Sequence, residues 1–293
     1  MQGKYATSSA FRRALEDRLR QQALREGIDL QRLRRHIAFE RLLARLFVDN
    51  PPPWVLKGGY SLELRLYKIA RATIDLDLSV PMPNPVISNL ADPLRVIRER
   101  LQIALDYDLA DQFTFVLSNS ETVLQGPTYG GIRFSVEARL DNRTFTQFHL
   151  DVALGDVPVA QPDWVTGQAF LDFVDVPPAK IALLPVEQHF AEKIHAYTLP
   201  RTGEPNSRIK DLIDIVLLID LGLPGADIVV EAIRATFARR QTHEIPVALL
   251  DPPVEWRERY EIMASRCGVR MSTLQDANKY ASDYWMSLHP ERQ

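Results

Sequence analysis

Apolar positions recur every three or four residues early in the chain, first at Phe11, Leu15, Leu19 and Leu24 and then at Leu33, Ile37, Leu42, Leu43 and Leu46. That spacing is the period of an amphipathic helix. Ser8 or Ser9 can cap the first helix, which stops near Gly27, and the second covers about 29–47 before Pro51-Pro52-Pro53 ends it. Both helices are read as scaffold packed on a sheet. The pattern changes at TIDLDLSV, residues 73–80, where apolar and polar residues alternate with the period of a half-buried strand. Asp75 and Asp77 then project from one face about 7 Å apart along the backbone, and Ile74, Leu76 and Leu78 turn into a core.

Upstream, Trp54-Val55-Leu56 leads into Lys57-Gly58-Gly59 and a helical run carrying Leu62, Leu64, Leu66 and Tyr67. Downstream, PMPNP at 81–85 breaks both helix and central strand and is read as a loop at the mouth of a site. A helix over 92–105 follows, then three β-rich runs: FTFVLSNSETVL, GIRFSVEARL and RTFTQFHLDVALGD. Gly126-Pro127, Gly130-Gly131 and Asp141-Asn142 mark the turns. Proline density rises at Pro158, Pro162, Pro177, Pro178 and Pro185 while periodicity fades, so 158–185 is read as a linker. The expected fold is α+β with two lobes: 1–157 with a small mixed sheet flanked by helices, and 186–293 mainly α-helical, with Trp256, Tyr260 and Trp285 in its core.

With 46% hydrophobic and 25% charged residues, the chain has the composition of an ordinary globular protein. Cys267 is the single cysteine, which excludes a disulfide framework or a cysteine-based zinc site and points to a reducing cytoplasm. The start of the chain lacks the apolar core of a signal peptide, and no apolar run is long enough to cross a membrane, so no membrane association is expected. Net charge is −3 overall, yet residues 1–47 hold eleven basic against five acidic side chains. That excess describes either a polyanion-binding face or a pair of solvated helices.

Two like charges on one strand repel unless a cation lies between them, and a hard divalent ion such as Mg²⁺ takes carboxylate oxygens well. Paired glycines entering a helix let backbone N–H groups close on a phosphate at the positive end of the helix dipole. Together these suggest a site for a nucleoside triphosphate and its metals. Farther on, Phe190, Ile194 and Tyr197 share a helical stripe with Lys193 at its edge, and Asp211 and Asp214 share a face of the next helix. Without other information, such a Lys and Asp are most often an ordinary salt bridge.

The order Gly58-Gly59, helix, Arg71-x-Thr73-x-Asp75-x-Asp77 resembles motif I of the DNA polymerase-β-type nucleotidyltransferase superfamily, and more narrowly the AbiEii/AbiGii (MenT-like) toxins of bacterial toxin–antitoxin pairs. AEKIHA at 191–196 followed by SRIKDLID at 207–214 resembles the later motifs of that family, in the same order. The resemblance implies a nucleotidyltransferase fold in which Asp75, Asp77 and Asp151, the last from His149-Leu150-Asp151-Val152, hold Mg²⁺, two ions in all. Lys193 would engage the triphosphate and Asp211 would orient it. Lys57, Gly58, Gly59, Arg71 and Thr73 would contact the nucleotide, with Arg208 and Lys210 as further phosphate or acceptor contacts. Thr73 stands where many members have serine, so a hydroxyl is kept. Asp214 is read as a cap or partner of Arg208, Asp156 as a turn residue, and His189, His195 and His243 as packed or surface side chains. The implied activity is transfer of NMP from NTP to the 3′ end of tRNA, arresting growth under the control of an antitoxin encoded nearby. Other readings are transfer to a protein or small-molecule hydroxyl, or a non-catalytic RNA-binding module.

Overall fold

A computed structural model of the chain describes residues 5–49, 52–67, 69–81, 92–124, 130–155, 159–200 and 208–289. Most of PMPNP, the Gly126-Pro127 turn, Asp156 and the TGEPNS segment lie outside the described residues. In chain order the elements are α1 (Ser8–Glu26), α2 (Leu30–Leu46), β1 (Val55–Lys57), α3 (Gly58–Leu66), β2 (Asp75–Val80), α4 (Pro93–Leu105), β3 (Phe113–Val123), β4 (Gly131–Leu140), β5 (Arg143–Leu154), β6 (Asp163–Thr166) and β7 (Lys180–Leu183). Five further helices follow: α5 (Val186–Thr198), α6 (Ile209–Leu221), α7 (Ala226–Arg240), α8 (Arg257–Cys267) and α9 (Leu274–Leu288). They divide into two compact units, Met1–Leu56 with Ile74–Asp156 and Trp164–Leu183, and Lys57–Thr73 with Val157–Asp163 and Leu184–Gln293.

The first unit is built on a mixed sheet in the order β3-β4-β5-β2-β1-β7-β6. β2 runs parallel to β5 and β1 parallel to β7, while β3, β4 and β5 form an antiparallel meander. Asp141 and Asn142, with φ of 58° and 55°, make the tight β4–β5 turn that those residue types favour. Leu76, Leu78, Phe134, Leu150 and Val152 are fully buried on one face of the sheet. α2 packs against β5, where Phe39 meets Phe148 edge to face with ring centroids 4.8 Å apart. The charged face of β2 is left for other work.

Several expectations shift by a residue or two for clear reasons. Thr7, not Ser8 or Ser9, caps α1 by accepting from the Ala10 N–H at 3.1 Å, and Gly27 ends it with a φ of 66° that glycine adopts without strain. Leu24 is 86% exposed because the buried stripe of α1 ends at Leu19. Ile74 is 60% exposed because it precedes the strand. The 158–185 stretch carries β6, a short 3-10 turn and β7, and Leu183 on β7 pairs with Leu56 on β1. Its prolines punctuate strands too short to show a period.

Among the described early basic residues, Arg41 and Arg45 are interior. Arg45 donates to both oxygens of Asp111 at 2.7 and 2.8 Å, and Arg41 pairs with Glu40, all four side chains being buried. Charges this deep are tolerated only when paired, so these arginines hold α2 to the residues before β3. Arg13, Arg20 and Arg25 remain exposed.

The second unit is helical. α5 packs on α6 and α7, α9 closes on α6 and α7, and Phe190, Ile194, Leu212, Ile213, Val216, Ile233, Tyr260 and Trp285 form its core. Trp256 joins them, as the sequence suggests. Among the described residues no helix is long and apolar enough to cross a membrane.

Candidate active site

Register decides which side chains meet on the open face of the sheet. The β2–β5 pairing sets Asp77 beside Asp151 and Asp75 beside His149, and the β4–β5 pairing sets Arg133 beside Asp151 and Ser135 beside His149. Paired residues on neighbouring strands share a face. Asp75, Asp77 and Asp151 therefore lie on one face of the sheet. The Arg133 guanidinium takes both oxygens of Asp151, Nε to Oδ1 and Nη2 to Oδ2 at 2.7 Å each, and its Nη2 lies 3.9 Å from Asp75 Oδ2. His149 Nδ1 lies 3.1 Å from Asp75 Oδ1. The hydrogen bond to Asp151 outweighs burial and, with Asp75 and Asp77 nearby, raises the Arg133 pKa further. Beyond His149 the same face opens into a cavity of about 430 Å³ lined by Ser118, Ser135, Glu137 and Gln147 among others.

Three carboxylates on one face of two adjacent strands are the donor set that a hard divalent ion takes. Asp75 and Asp77 carry oxygens of the kind such an ion takes, Asp75 Oδ1 also lying 3.1 Å from His149 Nδ1. Asp151 fits it once Arg133 gives up an oxygen, and among the described residues no group of three His, Cys, Asp or Glu side chains is already gathered for a metal.

The helical unit holds the other candidates. Lys57 is extended, Gly58 turns the chain into α3 with a φ of 67°, and no side chain caps that helix start. Gly59 is there for space: a Cβ would lie 2.9 Å from Thr73 Oγ1 and 3.1 Å from Arg71 Nη2. Thr73 is fixed by its backbone N–H, which donates to Glu63 Oε1 at 2.6 Å, and Ser61 Oγ donates to the Gly58 carbonyl at 2.9 Å. Lys57 Nζ reaches Glu192 Oε2 at 3.5 Å.

Asp214 is the hub of this unit, and its role differs from the expected cap or partner of Arg208. It is fully buried, accepts from Arg71 through Nε and Nη2 at 2.9 and 3.0 Å, and lies 2.7 Å from Lys193 Nζ. Lys193 also donates to Asp211 at 3.1 Å, and Arg208 reaches Asp211 Oδ2 at 3.3 Å. Burial works against the charge on Lys193, but Asp214 and Asp211 prevail and raise its pKa. Burial likewise opposes the Asp214 charge, yet Lys193 and Arg71 push its pKa down to about 2. Arg71, Asp214, Lys193, Asp211 and Arg208 are thus linked in one chain of ion pairs, with Gly59 close to Arg71 and Thr73; Lys210 is exposed and joins none of these pairs. His189 is a packed histidine, as expected, its Nδ1 3.3 Å from Ser61 Oγ and its pKa held well down by burial.

Sequence reading passed over Arg133, Glu63, Glu192 and the hydrogen bond of His149. Only His149 left a signal, two residues before Asp151 and so on its face of the strand.

A family model described as the nucleotidyl transferase AbiEii toxin of type IV toxin–antitoxin systems matches residues 41–278. The chain belongs to this family. As an AbiEii protein it is a nucleotidyltransferase and the toxin of a toxin–antitoxin pair, which implies an NTP substrate and an antitoxin partner. The AbiEii chain is similar in fold to MenT4, a nucleotidyltransferase toxin from Mycobacterium tuberculosis H37Rv, with a TM-score of 0.54 and 16% identity over 91% of this chain and 93% of that one. A weaker likeness is found to the antibiotic-resistance factor ANT(2″)-Ia, with a TM-score of 0.34 and 17% identity over 70% of this chain and 95% of that one. No curated protein matches.

Proposed function

We propose that this AbiEii toxin transfers NMP from an NTP to the 3′ hydroxyl of tRNA in the cytoplasm, and that the modified tRNA stops translation and growth. The observation that carries the reading is the β2–β5 register, which sets Asp75, Asp77 and Asp151 on one face of the sheet in a chain of this family.

The acceptor oxygen attacks the α-phosphorus, the bond between the α-phosphorus and its bridging oxygen breaks, pyrophosphate leaves, and the hydroxyl proton passes to solvent water; no covalent enzyme intermediate is needed. Bound by Asp75, Asp77 and Asp151, Mg²⁺, as two ions, would polarise the attacking hydroxyl and offset charge on the leaving pyrophosphate. Lys193 supplies a fixed positive charge for the triphosphate, and Asp211 with Asp214 holds its ammonium in place. Gly58 and Gly59 at the start of α3, with Lys57, Thr73 and Arg71, supply N–H, hydroxyl and cationic contacts to the phosphates. Arg208 and Lys210 serve phosphate or acceptor, and exposed Arg13, Arg20 and Arg25 offer charge to a tRNA backbone.

Incubation with labelled NTPs, Mg²⁺ and total tRNA is expected to label tRNA, and Asp77→Ala is expected to abolish the label. Label that persists on tRNA in both Asp75→Ala and Asp77→Ala removes the site assignment. Label on protein or a small molecule instead redirects the acceptor and leaves nucleotidyl transfer standing.

A further inference from the structure

Arg133 stands out because the sheet itself delivers it to the carboxylates. It is the β4 partner of Asp151, which is the β5 partner of Asp77, so the three side chains form one row across adjacent strands. The guanidinium engages both Asp151 oxygens and reaches to 3.9 Å from Asp75. A bidentate guanidinium and a hard cation need the same carboxylate lone pairs, so the two compete.

We propose that Arg133 takes the place of one of the two cations at these carboxylates: the resting chain binds one divalent ion at Asp75 and Asp77, and a second reaches Asp151 only by displacing the guanidinium. The inference rests on the nucleotidyltransferase reading above. It makes Arg133 a positioning residue that keeps the acid cluster from filling with metal before substrate arrives. An incoming triphosphate offers the guanidinium another anion and so favours the exchange.

Mn²⁺ is the probe, titrated into the full-length chain without nucleotide while free Mn²⁺ is followed by electron paramagnetic resonance. The wild type is expected to bind one ion per chain and Arg133→Met two. Arg133→Gln, which remains polar should Arg133→Met fail to fold, is also expected to bind two. Arg133→Lys keeps the charge and is expected to stay at one. Two ions in the wild type, an unchanged count in folded Arg133→Met or Arg133→Gln, or no binding at all overturns the inference. Transfer from labelled NTP is scored separately on the wild type. A failed count with transfer intact ends only the Arg133 inference, whereas absent transfer ends the functional reading.

Discussion

The two charged regions of this protein are built on opposite plans. On the sheet, Asp75, Asp77 and Asp151 face one arginine, and Arg133 and His149 keep 38% and 45% of their side chains exposed. Among the helices, Lys193, Arg71 and Arg208 outnumber Asp211 and Asp214, and Asp214 has no exposed surface at all. One region gathers carboxylates beside a partly exposed arginine and histidine; the other turns on a fully buried aspartate held by two cations. The proposed function gives them opposite ligands, metal to the strands and phosphate to the helices. The contrast also implies unequal costs of mutation, because a half-buried carboxylate such as Asp75 costs less to neutralise than the fully buried Asp214.

The sharpest break in that contrast is Asp77→Asn. Loss of a metal ligand is expected to lower transfer by about a thousandfold or more, the equivalent of several kcal/mol of transition-state charge stabilisation. Its melting temperature is expected to change less than that of Asp214→Ala, since Asp77 is half-buried and Asp214 fully buried. Asp214→Ala removes the buried carboxylate that both Lys193 and Arg71 engage and is expected to cost about 3–5 kcal/mol of stability in urea unfolding.

Gly59→Ala comes next. Its methyl would press on Thr73 and Arg71, so a loss of about 1–3 kcal/mol is expected, together with weaker triphosphate binding by calorimetry. Acid should then divide the two regions. Asp214 has a folded pKa pushed below its ordinary value, so its contribution is present above about pH 4 and is lost as pH falls towards 2. Urea unfolding between pH 5 and pH 2 is expected to show that loss in the wild type and to lack it in Asp214→Asn. The smallest effect belongs to exposed Lys210: Lys210→Ala is expected to change stability by less than about 0.5 kcal/mol.

What could be read from the chain follows the same divide between local and distant information. Alternation in TIDLDLSV exposed Asp75 and Asp77 because a strand's two faces are encoded in consecutive residues, and the three later β-rich runs emerged as β3, β4 and β5 on the same ground. Gly58-Gly59 was legible as a turn into a helix, but its reason was not: the atoms crowding Gly59 belong to Thr73 and Arg71, which fold back from beyond α3. Arg133 was hidden because its meeting with Asp151 depends on strand register, which periodicity does not specify. Asp214 looked like a local cap because its partner Arg71 lies 143 residues away. Arg41 and Arg45 counted as surface charge for a similar reason: Asp111, which buries with them, comes far later in the chain.

The contrast is tested most directly by measuring Mn²⁺ binding and metal-free triphosphate binding on the wild type, Asp77→Asn and Lys193→Met. Asp77→Asn is expected to lose the metal and keep the triphosphate, and Lys193→Met to keep the metal and lose the triphosphate. Folded variants that lose both ligands together, or that exchange these outcomes, would contradict the assignment of metal to the strands and phosphate to the helices.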